Sequence, residues 1–206
     1  MYDDSVKPYN RKQHFGGWVR DPKDSSCQNT RAKVLIRDSL EPVTFHPGTC
    51  RVAQGDWKDP YGGEDFFDAQ QIQIDHMVPL KNAYISGAWS WDFNKRCLYG
   101  NFLGNKFHLI AVSGHENQSK SDKTPEFYLP KVSVYQCEYI ENWLKIKLIW
   151  QLKLSESEAL AIQNLAQKLS CPKEDFYFTD SDLQQQRQFI QQNMGLCDGP
   201  GTIANH

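Results

Sequence analysis

Asp75 and His76 stand side by side at the end of an alternating run, Gln71-Ile72-Gln73-Ile74, just before Met77-Val78-Pro79-Leu80. Downstream, the polar segment His115-Glu116-Asn117-Gln118-Ser119-Lys120 offers an amide oxygen and an ammonium. These side chains suit cleavage of a phosphodiester bond, which needs a base to activate water and positive charge where the phosphate and the departing oxygen become more negative. A histidine of ordinary pKa, about 6.5, has its neutral form available at physiological pH. An aspartate and an asparagine supply the oxygens that Mg²⁺ or Mn²⁺ prefers, and leave coordination positions for water and phosphate. An acid beside a half-buried histidine is also ordinary structural chemistry, so the dipeptide alone decides nothing.

Positioning these groups is the task of the surrounding elements. Alternation of polar and apolar residues predicts a strand over "FFDAQQIQIDH", with Asp75 on the face of Gln73 and His76 on the face of Ile74. If both serve one site, the strand should relax or bend at His76, and Pro79 marks its end. "LKNAYISGAW" reads as a short helix closed by Gly87, "SWDFNKRCLYGNFLGNK" as turn, and "FHLIAVSG" as a second strand. After Gly114, "HENQSKSDK" has fair helix propensity and should stop before Pro125. Strand, long connection, strand and short helix make a ββα unit, and a helix laid over the strand end would bring Asp75 to Asn117.

Upstream, Ala32, Leu35 and Ile36 have helical spacing, with Asn29 or Thr30 as cap, and "HPGTCRVAQGDWKDPYGGED" is dominated by turn residues. Downstream, Tyr135, Tyr139, Trp143, Ile146 and Trp150 mark one apolar face of a long helix, a core stripe rather than a functional one. Ser155 and Glu158 form a capping box, and a Gln-rich helix runs up to Gly195. The expected fold class is therefore α+β. Residues 1–152 would form the domain that holds the ββα unit, with its core at 68–125, and residues 153–206 a helical extension on the same globule.

With 206 residues, of which 39% are hydrophobic, the chain can bury a sizeable core. Its net charge of −2 excludes a uniformly basic surface and leaves room for a local basic patch. No apolar run approaches the ~20 residues of a membrane helix, so no membrane partner is expected, and a monomer is the simplest state. The six cysteines contain no CxxC pair, which argues against a zinc knuckle. An even number in a chain rich in Trp, Tyr, Gly and Pro suits disulfides in an oxidising compartment, and Cys27 with Cys50, joined by turn-rich sequence, is the favoured pair. A secreted or periplasmic chain is expected, its leader removed.

Asp75-His76, His108-Leu109 and Asn117-Gln118-Ser119-Lys120 resemble the HNH nucleases of the ββα-metal (His-Me finger) class. The ordered blocks "YNRKQHFGGWVRD", "CQNTRAKVLIRD", "GDWKDPYGG", "IDHMVPLKNAYISGAW", "HLIAVSGHENQSKSDKTPEFYLP" and "CEYIENWLKIKLIWQL" are similar to the exported HNH endonucleases related to the GmrSD C-terminal domain, over roughly residues 9–152. The resemblance implies a ββα-metal core and hydrolysis of DNA, with RNA open as a second substrate, at low sequence specificity. It makes His76 the general base, and Asp75 and Asn117 the ligands of one Mg²⁺ or Mn²⁺. The middle HNH position is often asparagine. Here it is His108, in a structural role or in contact with substrate or metal, and Asn105 is a rival for the position.

Some HNH sites end in histidine, but alignment on Asn-x-x-Lys selects Asn117 and leaves His115 and Glu116 as helix-start residues. Lys120 is expected to hold a phosphate or to lie in solvent. Arg96 or Arg31 would either stabilise transition-state charge and bind substrate or pair structurally. His14 and His46 are placed outside the site. Two rivals remain: a non-catalytic ββα module that binds nucleic acid or protein, and a structural zinc held by His76, His108 and His115.

Overall fold

In a computed structural model the described residues are 8–198, so the outermost parts of the two expected segments, 1–7 and 199–206, lie outside them. In chain order the elements are α1 (Arg11–Phe15), α2 (Thr30–Asp38), β1 (Thr44–Phe45), β2 (Val52–Lys58), β3 (Asp65–Asp68), β4 (Ile72–His76), α3 (Leu80–Ile85), α4 (Phe93–Gly100), β5 (Leu109–Ser113), α5 (Gly114–Lys120), α6 (Gln136–Trp150), α7 (Glu156–Lys168) and α8 (Asp180–Gln192). Among the described residues, eight α-helices with two small antiparallel sheets make an α+β fold. One sheet has the order β1-β2-β3; the other is the pair β4-β5.

Local chemistry accounts for most helix starts. Asn29 accepts a hydrogen bond from the Ala32 amide and begins α2, and Ser155 and Glu158 make the reciprocal capping box of α7. Ser113 is the last residue of β5 and also the cap of α5, its hydroxyl accepting from the Glu116 amide. Some segments differ from expectation. The single strand read over "FFDAQQIQIDH" is two, β3 and β4, which lie in different sheets and are parted by a turn in which the Gln71 amide donates to the Asp68 carbonyl. "DFNKRCLYG", read as turn, is α4, because Asp92 caps it by accepting from the Lys95 amide and Cys97, Leu98 and Tyr99 are buried behind it. The turn-rich stretch after His46 contains β2, whose Val52 and Trp57 are buried against α2.

The β4-β5 pair separates two apolar clusters. Ile72, Ile74, Leu109 and Ala111 join Val34, Leu35 and Trp57 on one side. Val112 and Met77 join Tyr139, Trp143 and Trp150 of the α6 stripe on the other, where α7 and α8 add Ile162 and Ile190. The register Ile72↔Ser113, Ile74↔Ala111, His76↔Leu109 runs unbroken, and the Met77 amide continues it by donating to the His108 carbonyl. The expected relaxation at His76 is thus absent. Within its sheet β4 pairs only with β5, so its second edge is open, and side chains from both faces flank that edge.

Three disulfides close the structure: Cys27–Cys50, the expected pair, Cys97–Cys197 and Cys137–Cys171. The second ties α4 to the turn after α8 across 100 residues of chain, a loop for which chain entropy assigns about 4–5 kcal/mol of stabilisation. Thiol labelling in denaturant without reductant should find no reactive cysteine, and all six after reduction. Replacing Cys97 and Cys197 together by alanine should lower unfolding free energy by about 2–5 kcal/mol in urea titrations.

Candidate active site

His76 is set by backbone at one end and by a ring on its side. Its Nε2 lies 3.0 Å from the Gly100 carbonyl, which can only accept, so Nε2 carries the proton and Nδ1 the bare lone pair. That carbonyl belongs to the last turn of α4, whose final C=O groups have no partner within the helix. Trp18 stacks on the imidazole with ring centroids 5.5 Å apart and planes at 3°. Trp18 reaches this place because α1 ends at Gly16, whose φ of 70° turns the chain in a way that glycine tolerates best. Nδ1 has no hydrogen-bond partner among the described residues, and His76 lines the clefts on the open edge of β4. Burial, with the Arg11 charge adding to it, pushes the imidazole well below its ordinary pKa, which keeps it neutral and proton-accepting at neutral pH.

Asp75, on the opposite face, is 3% exposed. Its Oδ2 accepts from the Tyr61 hydroxyl at 2.6 Å and its Oδ1 from Lys120 Nζ at 2.9 Å. Lys120, expected at a phosphate or in solvent, is instead fully buried, and its ammonium also donates to the His76 carbonyl at 3.0 Å. Burial pushes the Asp75 carboxyl up and the Lys120 ammonium down, each partly offset by the other. Asn117 stands three residues before Lys120 on α5, donates from Nδ2 to Gln73 Oε1 at 2.8 Å, and lines the same cleft as Asp75 and His76.

The remaining expected residues divide. Arg31 lines the cleft while Nη2 donates to the carbonyls of Ala69 and Ile72 at 3.0 and 2.8 Å, clamping the open edge of β4. Arg96 is spent on backbone carbonyls of His14, Ala88, Trp89 and Trp91, which locks α4 against α1. His108 is 1% exposed, and Nε2 donates to the Tyr99 carbonyl at 2.8 Å; burial lowers its pKa to about 3. Asn105 holds the same loop by accepting from the His108 amide. The zinc reading loses its geometry, since no group of three or more His, Cys, Asp or Glu that could hold a metal occurs among the described residues. His115 is 80% exposed in its side chain, whereas His108 is enclosed.

Sequence reasoning passed over Trp18, Tyr61, Arg11 and Lys12. All four lie in blocks quoted above, but nothing local distinguishes a tryptophan that stacks on His76 from one that fills core. The cleft holding His76, about 430 Å³, is lined by Arg11, Lys12 and Arg31 and by no carboxylate; the adjoining one, about 470 Å³, adds Asp75, Lys81 and Asp122. Positive charge thus surrounds a neutral imidazole, with one buried carboxylate at the side. The donor set that Asp75 and Asn117 offer fits a hard cation: an ionised carboxylate has about four lone-pair sites, of which Tyr61 and Lys120 use two, and Asn117 Oδ1 accepts no hydrogen bond among the described residues. Mg²⁺ is commonly held by one or two carboxylates, with water and phosphate completing its shell.

Removing one member of a buried ion pair leaves the other charge without compensation. Lys120→Met should therefore cost about 3–5 kcal/mol in chemical denaturation, and Asp75→Asn combined with Lys120→Met should recover part of that loss.

The family model described as GmrSD restriction endonucleases, C-terminal domain, matches residues 29–165, a span that contains Arg31, Asp75, His76, Arg96, His108, Asn117 and Lys120. A protein of Arthroderma benhamiae described as an uncharacterized secreted protein is 38% identical over 154 residues, covering 75% of this chain and 72% of the relative. No solved structure matches. The chain belongs to the family of GmrSD restriction endonuclease C-terminal domains.

Proposed function

We propose that the protein is an HNH-type endonuclease that hydrolyses phosphodiester bonds of DNA with low sequence specificity, RNA being open as a second substrate. The observation that carries this reading is the fixed tautomer of His76: Nε2–H is committed to the Gly100 carbonyl, and Nδ1 presents a lone pair beside a cation-lined cleft. The β4-connection-β5-α5 order, with α5 packed back on β4, supports a ββα-metal core.

In this reading Nδ1 takes a proton from water, the water oxygen attacks phosphorus, the P–O3′ bond breaks and the departing 3′-oxygen takes a proton from solvent, leaving 5′-phosphate and 3′-hydroxyl ends; His76 then returns its proton to solvent. Arg11 and Lys12 draw the phosphate into the cleft, and Trp18 keeps the imidazole from turning. Tyr61 and Lys120 orient the Asp75 carboxylate, which with Asn117 would hold one Mg²⁺ or Mn²⁺. The bound ion would supply positive charge to the pentacovalent phosphate and the leaving oxygen. The likeness to a protein described as secreted, together with three disulfides, supports an extracellular place of action.

Plasmid incubated with purified protein should be nicked with Mg²⁺ or Mn²⁺ and spared with chelator. His76→Ala should lower the rate about 10²–10⁴-fold, the range for loss of a positioned general base. Retained cleavage by that variant would remove His76 from the role, and inertness of the wild-type protein on double-stranded DNA, single-stranded DNA and RNA would favour the non-catalytic binding module. Trp18→Leu should lower turnover more than it raises KM, since it frees the base without removing a phosphate contact.

A further inference from the structure

Beside the His76 cleft lies a second groove of about 560 Å³, and the two share Trp18 and Arg31. Its walls carry Arg20, Arg51 and His46 in addition to Arg31, and none of the residues that line it is acidic. Neither Arg20 nor Arg51 has an ion pair or a side-chain hydrogen bond among the described residues, and both are exposed. Arg31 and Arg51 line the same groove, and Arg31 is pushed below its ordinary pKa by burial and further by the charge of Arg51.

The exposed guanidinium groups of Arg20 and Arg51, with no acidic residue in the groove lining, are therefore free to meet an anion that enters it. The two walls are also tied to each other covalently. Asn29 at the start of α2 and the loop from His46 to Arg51 face each other across the groove, and the Cys27–Cys50 disulfide lining it joins those two stretches. Arginine with its planar fork suits phosphate, and a row of such sites leading away from the cleft has the form of a track for a polymer.

We propose that this groove is the second half of the substrate track and takes the phosphodiester backbone of the strand flanking the scissile bond. Contact runs from the His76 cleft past Trp18 and Arg31 to Arg20 and Arg51, so the protein grips several nucleotides and favours long chains over a minimal phosphodiester. The proposal rests on the nuclease reading for the identity of the reacting end, but its binding component stands apart from catalysis.

The test uses Arg20→Ser with Arg51→Ser. Binding is measured by fluorescence anisotropy in a His76→Ala background, without divalent metal, on labelled single-stranded and double-stranded 20-mers over a range of salt. Losing two phosphate contacts should reduce the slope of log K against log salt by about 1.4 on single strands or about 1.8 on duplex. Arg20→Lys with Arg51→Lys should restore it. With His76 intact, the serine variant should cleave long DNA about tenfold more slowly at physiological salt and hydrolyse bis(p-nitrophenyl) phosphate at the wild-type rate. An unchanged slope on both probes overturns the groove, even if the wild-type protein is an active nuclease. A reduced slope in a protein that cleaves nothing upholds the groove and removes the nuclease reading instead.

Discussion

A buried carboxylate with two donors organises this molecule. Asp75 is held by Tyr61 from the β2-β3 turn and by Lys120 from α5, and Lys120 also takes the carbonyl of His76. Three separate parts of the chain therefore meet at one side chain on β4. An unpaired charge at that depth would cost several kcal/mol, so the three parts are effectively required to arrive together. The turn is braced in its own right: Asp59 accepts from the amides of Tyr61 and Ser113, which fixes the distance between the hydroxyl of Tyr61 and the β5-α5 junction. Glu116, one turn before Lys120, takes the Tyr128 hydroxyl and Lys131 and so fastens the far side of α5.

His76 is held by a different device. Helix ends leave carbonyls unpaired, and α4 offers two of them, Tyr99 and Gly100, to His108 and His76 respectively. One histidine thereby fastens the start of β5 to the end of α4, and the other is fixed in the tautomer that leaves Nδ1 unprotonated. The same helix is anchored by Arg96 on one side and by Cys97–Cys197 on the other, so the carbonyl that orients His76 is itself immobilised.

Much of this was legible in the sequence where the cause is local. The alternation ahead of Asp75, the polar helix after Gly114, the Asn29 cap, the Ser155–Glu158 box and the Cys27–Cys50 pair all follow from neighbours in the chain. What escaped was tertiary. Asp92-Phe93-Asn94-Lys95-Arg96 looks like a turn because its polar residues say nothing of the buried Cys97, Leu98 and Tyr99 that make the helix worth forming. Lys120 looks like a surface residue, since only the fold reveals that a carboxylate waits for it 45 positions upstream. The strand was expected to bend so that one dipeptide could serve one site. It does not, because an open strand edge already lets opposite faces reach the same cleft.

The junction between β5 and α5 has no loop: Ser113 ends the strand and caps the helix, and Asn117 and Lys120 follow within two turns. Each helical residue rotates the next by about 100° and advances it by about 1.5 Å. A single inserted or deleted residue between Ser113 and Lys120 would therefore swing the amide away from the cleft and the ammonium out of the core in one stroke. The connection from Met77 to His108 can lengthen freely by comparison, wherever α4 keeps its carbonyls in place. Divergence among such chains should accordingly be written as substitutions after β5 and as changes of length before it, which makes that seam a fixed reference point for placing a distant relative in register.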